Sequence, residues 1–236
     1  YESDDEIPTM NIENNTLSFK EYVELRCIAF SLFVTNIGIV YFPLLKFLSE
    51  NHIEVFELIY ETVKNLENAP NTVKSVFKSF EKQTIEELWD SPEEIEAHYQ
   101  NDQEFQKLLD EDSGMNVMQF HHAIVVGTIM DDWTNYIMSI SKTLLQNQTN
   151  FDTIKEEFEN IEKYCFGLSH NVLSSTRMSD NPEFHFNYDV GKWINSESKL
   201  FNFKHNVQAK LKFILTTKQN VMIQDKLQIF GNSSTG

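Results

Sequence analysis

The segment from Glu86 to Met118 most constrains the fold, because its polar residues specify where helices begin and end. Ser91 precedes Pro92, and Glu94 follows three residues after the serine. This is the pattern of an N-cap, a first-turn proline and a capping-box partner, so a helix begins at Ser91. In the same stretch, Asp102 and Asn116 are candidate N-caps of two further helices, and Gly114 is a candidate helix end. It predicts three successive helices and carries no intrinsic catalytic meaning.

Apolar residues at helical spacing run through most of the chain before residue 169. A capping box of Ser18 and Glu21 precedes an apolar face that extends to Phe33. The spacing predicts that residues 18–168 form at least six packed helices and no sheet. These helices are expected near residues 18–33, 41–50, 54–66, 73–88, 131–145 and 152–168, in addition to those of the capped segment.

The pattern changes after residue 169, and residues 183–188 alternate apolar and polar side chains. This alternation predicts a half-buried strand with Phe184, Phe186 and Tyr188 on the face that packs on the helices. Residues 207–215 predict a second strand that pairs with the first. Thr217 is in position to cap a last helix, which Gly231 would close.

The fold class that follows is mainly α: a multi-helix bundle with a small C-terminal α+β element. We predict a linker over residues 1–17, which are acidic and aperiodic, and a helical body over residues 18–170. Residues 171–236 are predicted to form the small C-terminal element, packed on the body. With 236 residues and 41% hydrophobic side chains, the chain is long enough to bury a sizeable core.

The net charge of −17 bears on the class of partner. Nucleic acid and anionic lipid surfaces are disfavoured, because long-range electrostatics repel them. Ile28 to Leu45 contains no charged residue, but Asn36 and Gly38 interrupt it and Pro43 follows. Two shorter buried helices joined by a turn therefore explain this run better than a membrane span. Two cysteines within apolar helical pattern are typical of buried thiols in a reducing cytoplasm, so we expect a cytoplasmic protein.

Few residues suggest chemistry. His121 and His122 are adjacent, so on a helix their side chains diverge by about 100° and do not chelate one ion as an i, i+4 pair does. We expect one packed and one exposed histidine, and we assign no catalytic, cofactor-binding or metal-ligating residue. The one constellation of interest is a possible domain-docking site at the end of the first strand. Its members are Tyr188, Asp189, Lys192 and Trp193. A buried tryptophan that anchors the strand to the helical body explains the same residues without a partner.

Three segments carry a resemblance to a known family. They are S-P-E-E-I-E ahead of G-M-N, T-M ahead of S-F-K-E-Y-V-E-L-R, and F-N-Y-D-V-G-K-W-I. Together they resemble the C-terminal region of radical S-adenosylmethionine proteins that also carry a cobalamin-binding domain. The resemblance spans the chain from about Thr9 to its end. It implies a [4Fe–4S] iron–sulfur cluster, S-adenosylmethionine and cobalamin for the parent protein.

The motifs that bind these cofactors in the family are absent from this sequence. A C-x-x-x-C-x-x-C loop supplies the three thiolates of such a cluster, and here there are two cysteines, Cys27 and Cys165. The resemblance therefore implies a non-catalytic accessory domain that caps or shapes the substrate site of an upstream barrel in the same polypeptide. This chain alone is not expected to be an enzyme. The alternative is a stand-alone helical protein-interaction domain with a Phe-rich groove.

Overall fold

The computed structural model of the chain describes residues 16–37, 39–109, 116–169, 181–219 and 221. Up to residue 169 the described residues form nine α-helices and no strand of a sheet. Their bounds are α1 Phe19–Thr35, α2 Phe42–Glu50, α3 Val55–Lys64, α4 Asn71–Glu86, α5 Pro92–Tyr99, α6 Asp102–Leu109, α7 Val117–Thr128, α8 Met130–Gln148 and α9 Phe151–Ser169. A 3₁₀ turn at Leu66–Asn68 follows α3. The prediction of at least six helices and no sheet before residue 169 is confirmed for the described residues.

The C-terminal element consists of two strands and a short helix among the described residues. Strand β1 spans Glu183–Tyr188, helix α10 spans Val190–Trp193, and strand β2 spans Lys204–Lys212 after a 3₁₀ turn at Leu200–Phe203. The strands pair antiparallel in a two-stranded sheet. Mainly α with a small α+β element is therefore the observed fold class.

Side-chain caps begin the helices largely where the sequence predicts them. Ser18 and Glu21 form the predicted capping box, and the Ser91 hydroxyl accepts a hydrogen bond from the Glu94 backbone N–H at 3.2 Å. Asn116 caps α7 by accepting from the Gln119 N–H at 3.1 Å. These hydrogen bonds satisfy backbone donors that have no partner inside the helix.

Two predicted caps are wrong by one residue. Asp102 is the first residue of α6, and the side chain of Asn101 accepts the hydrogen bond from the Gln103 N–H at 2.9 Å. Thr216, rather than Thr217, accepts from the Gln219 N–H at 3.3 Å. Neighbouring polar residues compete for a cap, so spacing alone does not choose between them. The predicted helix ends at Gly114 and Gly231 lie outside the described residues.

The uncharged run from Ile28 to Leu45 divides between α1 and α2, as predicted. Phe33 does not join the buried face of α1 as predicted. Its side chain is exposed, whereas the next residue, Val34, is buried. Because each residue turns a helix by about 100°, Val34 continues the buried stripe and Phe33 falls on the outer side.

One hydrophobic core joins the helical body to the C-terminal element. Helices α1, α4, α7 and α8 contribute aromatic and aliphatic side chains that pack around Phe30, Phe80 and Trp133. The same cluster continues through α2 and α9 into Phe186 and Trp193 of the C-terminal element. The sheet is therefore packed on the body, mainly on α9.

Strand β1 packs as the alternation predicts. Phe186 and Tyr188 are buried and Phe184 is partly buried on the same face. Strand β2 begins earlier than predicted, at Lys204, and its pairing with β1 shifts register between Phe186 and Tyr188. Residues 205–208 of β2 lie opposite this shift. Val207 is one of them, and its side chain is 81% exposed.

Candidate functional site

Trp193, the centre of the predicted docking constellation, is fully buried against the helical body. Its indole Nε1–H donates to Glu50 Oε1 of α2 at 3.1 Å. The Lys46 ammonium lies 5.1 Å from the indole ring centroid and donates to the Ser196 carbonyl at 2.7 Å. The tryptophan therefore fastens α10 to α2 within the chain, which is the intramolecular role considered for it from the sequence.

Tyr188 is also buried, and it belongs to a polar network centred on Glu156 of α9. Glu156 accepts from the Tyr188 hydroxyl at 3.0 Å, from the Lys204 ammonium at 2.6 Å and from the Asn187 amide at 2.8 Å. Hydrogen bonds from Lys204 and Tyr188 hold the pKa of Glu156 below its ordinary value. One carboxylate thus ties both strands to α9.

Asp189 and Lys192 have different surroundings from the two aromatic residues. The Asp189 carboxylate caps α10 by accepting from the Lys192 backbone N–H at 3.0 Å. The Lys192 side chain is exposed and its ammonium lies 4.0 Å from Asp189. Of the four predicted docking residues, Lys192 therefore presents its side chain to solvent, and docking of another domain at this site stays a prediction.

The adjacent histidines occupy different environments. His121 is fully buried, and its Nδ1 lies 2.8 Å from the Val117 carbonyl oxygen, to which it donates as Nδ1–H. Burial lowers the pKa of both His121 and His122. His122 is partly buried rather than exposed as predicted, because its ring packs 4.7 Å from that of Phe33. Within the described residues no group of three or more His, Cys, Asp or Glu side chains is arranged to hold a metal ion.

Both cysteines are free and buried. Burial raises the pKa of the Cys27 thiol to about 12, and it also raises the pKa of Cys165. Both side chains are therefore thiols near neutral pH, and thiolates are the form that binds metals. The residues of this chain consequently do not fit a [4Fe–4S] cluster, which needs three converging thiolates.

A groove of about 420 Å³ lies between α3 and α8. A hydrogen bond between Glu57 and Gln148 crosses it, and Glu61 pairs with Lys64 at 3.2 Å. The carboxylates of the groove are therefore already partnered, and the geometry assigns it no chemistry.

An exposed apolar surface extends along the outer sides of α1 and α7, which pack together. On α1, Leu25 is 51% and Leu32 is 49% exposed, and the exposed Phe33 ring bridges to His122 of α7. Helix α7 contains no Asp, Glu, Lys or Arg, and α1 has none after Arg26. We call this surface the α1–α7 face, and its members are Leu25, Ala29, Leu32, Phe33, His122, Ala123 and Val126.

Sequence reasoning did not identify the α1–α7 face, although the sequence contains a signal for it. A surface helix normally has polar residues on its outer side. The nine residues from Cys27 to Thr35 include no charged residue, on the inner or the outer side of the helix. A helix that is apolar all round, in a domain of this size, either lies inside the core or has a second partner. Here the inner side packs in the core and the outer side is exposed.

No protein-family model, curated protein or solved structure matches the chain. Among the described residues, no helix has both the length and the apolar character needed to cross a membrane. The α1–α7 face remains as an exposed apolar surface in this acidic chain.

Proposed function

We propose that the chain is a non-catalytic accessory domain that docks through its α1–α7 face on an upstream catalytic domain of the same polypeptide. The observation that carries the proposal is the exposed apolar surface of two packed helices, which has no charged residue on α1 after Arg26 and none on α7, in a chain of net charge −17. Contiguous exposed apolar patches mark surfaces that bind another protein, a membrane or a ligand, and the net charge of the chain disfavours an anionic membrane. The core of such an interface is depleted in charged residues, as this face is.

The resemblance supports the identity of that upstream domain. Cobalamin-linked radical S-adenosylmethionine enzymes have their barrel ahead of the region that this chain resembles. Helix α1 begins at Phe19, directly after the predicted linker, so an upstream domain would be tethered at one end of the proposed docking surface. A short tether raises the effective concentration of the two surfaces and favours their contact. The location of the parent enzyme is proposed to be the cytoplasm.

The parent's cofactors belong to the upstream domain in this proposal. The two buried thiols do not fit the iron–sulfur cluster, and that domain would supply its cysteine loop, S-adenosylmethionine site and cobalamin site. This chain would bind the barrel and shape the entrance to its substrate site. The packed helices would provide a rigid surface for that task.

The reading frame upstream of Tyr1 is the first test. A C-x-x-x-C-x-x-C loop encoded there supports the proposal, and a frame without one contradicts the radical S-adenosylmethionine identity. In the longer polypeptide, amide exchange of α1 and α7 should be slower than in the isolated chain. Leu32→Arg should abolish this protection, whereas Phe56→Arg, on an exposed residue of α3, should preserve it.

The isolated chain should bind no iron–sulfur cluster and cleave no S-adenosylmethionine. Anaerobic reconstitution with iron and sulfide, followed by absorbance in the cluster charge-transfer region and an assay for deoxyadenosine, measures both. The physical reason is the lack of a third thiolate. A stoichiometric cluster or any turnover would contradict the assignment of chemistry to an upstream domain.

The alternative is a stand-alone interaction domain that binds a separate protein through the same face. The α1–α7 face would serve that function without any change in geometry. A reading frame that begins near Tyr1, together with a partner whose binding Leu32→Arg abolishes, would favour the alternative.

A further inference from the structure

Helices α5 and α6 form a pair of short helices within residues 88–109, which we call the acidic arm. Each helix has eight residues, and their main packing partner among the described elements is each other. No residue of α5 is buried. Helices of this length are marginal in water without tertiary packing, so a surface that covers the arm would stabilise it.

The acidic arm presents an aromatic cluster to solvent. The Trp89 ring lies 4.9 Å from His98 and 6.4 Å from Tyr99, measured between centroids, and Trp89 is 39% exposed. The other two tryptophans, Trp133 and Trp193, are fully buried. The accessible indole of the chain therefore lies on the arm.

The arm also concentrates negative charge. Its one lysine, Lys107, pairs with Glu104 at 2.7 Å. Glu93 and Glu96 are exposed and have no ion pair among the described residues. Glu96 lies three residues before Tyr99 on α5, so its carboxylate is on the turn beside that ring. The six acidic residues of the arm are Asp90, Glu93, Glu94, Glu96, Asp102 and Glu104.

We propose that the acidic arm binds an arginine-rich segment of a partner protein. A guanidinium group stacks on aromatic faces and also pairs with carboxylates, and the arm offers both next to each other. An ammonium group makes the ion pair but stacks less well, so arginine is favoured over lysine. A second copy of the chain is disfavoured, because two acidic arms repel each other.

The test uses the full chain and two nonapeptides, one of arginine and one of lysine. Trp89 reports binding, because acrylamide quenches an exposed indole more efficiently than the two buried ones. Addition of the arginine peptide should protect the indole from acrylamide. Added salt should weaken the binding, because exposed charges are screened.

Variants that remove charge test whether binding of the arginine peptide depends on the arm or on the overall negative charge of the chain. Glu93→Gln with Glu96→Gln should weaken binding of the arginine peptide by about fivefold or more. The matched control is Glu159→Gln with Glu197→Gln, two exposed carboxylates outside the arm that have no ion pair among the described residues. The control removes the same charge and should weaken binding by less than about twofold, because distant exposed charges are screened.

The aromatic contribution is tested with Trp89→Ala, followed by calorimetry. The native chain should bind the arginine peptide more tightly than the lysine peptide, and the variant should lose this preference. Equal weakening by the two double variants, or binding without protection of the indole, would overturn the proposal. So would a preference for arginine that survives Trp89→Ala, provided that circular dichroism shows the variant to be folded.

Discussion

The C-terminal element and the acidic arm each combine short elements with a tryptophan. This tryptophan is buried in the C-terminal element and exposed in the arm. In the C-terminal element, Tyr188 and Trp193 are buried and make hydrogen bonds to Glu156 and Glu50 of the helical body. In the arm, the Trp89 ring packs beside those of His98 and Tyr99, and its side chain is 39% exposed. Aromatic residues of the same types thus anchor an element where the helical body offers them a hydrogen-bond acceptor.

The difference has an energetic consequence. A two-stranded sheet is marginally stable alone, so the C-terminal element depends on its contacts with α9 and α2. Because those contacts belong to the common core, loss of one should lower the stability of the whole chain. The arm contributes few buried contacts, so its loss should be local.

The largest difference between the two regions is expected when each tryptophan is replaced separately by alanine. Trp193→Ala is expected to lower the free energy of unfolding by about 3–5 kcal/mol, because it empties a fully buried site and leaves Glu50 without its indole donor. Trp89→Ala should cost less than about 1 kcal/mol. Urea unfolding followed by circular dichroism measures both. Equal losses would show that the arm is as integrated as the C-terminal element.

The next largest effect on stability is expected when a glycine within a helix is replaced by alanine. A Cβ atom at Gly167 of α9 would overlap the ring of Phe213, which follows β2 and packs on that helix. Gly167→Ala should therefore destabilise the chain by about 1–3 kcal/mol through overpacking. Gly127 of α7 is the control, because a Cβ there meets no atom within 4 Å. Gly127→Ala should stabilise the chain by about 0.5–1 kcal/mol through helix propensity. Stabilisation by both substitutions would contradict the close approach of sheet and helix.

The Glu156 network predicts a pH-dependent effect. The folded-state pKa of Glu156 is lowered, so its stabilisation is present above the unfolded-state pKa and is lost as the pH falls through the folded-state pKa. Glu156→Gln should cost about 1 kcal/mol at neutral pH, a modest value because the carboxylate is partly exposed. The difference from the native chain should vanish in acid. The control is Glu159→Gln, on an exposed residue of the same helix. An equal cost of Glu156→Gln at neutral and at acidic pH would contradict the electrostatic cause.

The sequence predicts the helices and β1 well because their signals are local. Caps such as Ser91 and periodic apolar residues act within one or two turns, and alternation within six residues identifies the buried face of β1. The start of β2 depends on its pairing with β1. The register shift opposite Tyr188 is a property of two strands together, so neither strand alone predicts it.

The candidate surfaces depend even more on long-range contacts. The position of Trp193 at the end of β1 suggests an anchor, but its partner Glu50 lies on another helix, far away in the sequence, so the local sequence does not identify that contact. The α1–α7 face results from how α1 is oriented, with Phe33 outward and Val34 inward. Composition indicates that this segment is unusually apolar, but only packing determines which side is left exposed.

The smallest global effect is expected from the cap of the acidic arm, and it tests how independent the arm is. Ser91→Ala removes the hydrogen bond to the Glu94 N–H, a loss worth about 1 kcal/mol for the helix. Because the arm packs mainly on itself, amide exchange should accelerate in α5 while the urea midpoint of the whole chain stays unchanged. The matched variant is Ser18→Ala, at the capping box of α1, a helix that contributes Phe30 and Val34 to the core. Its loss of about 1 kcal/mol should appear in the global midpoint. An equal shift of the midpoint in both variants would mean that the arm unfolds together with the body, and that the contrast between the two regions does not extend to their stability.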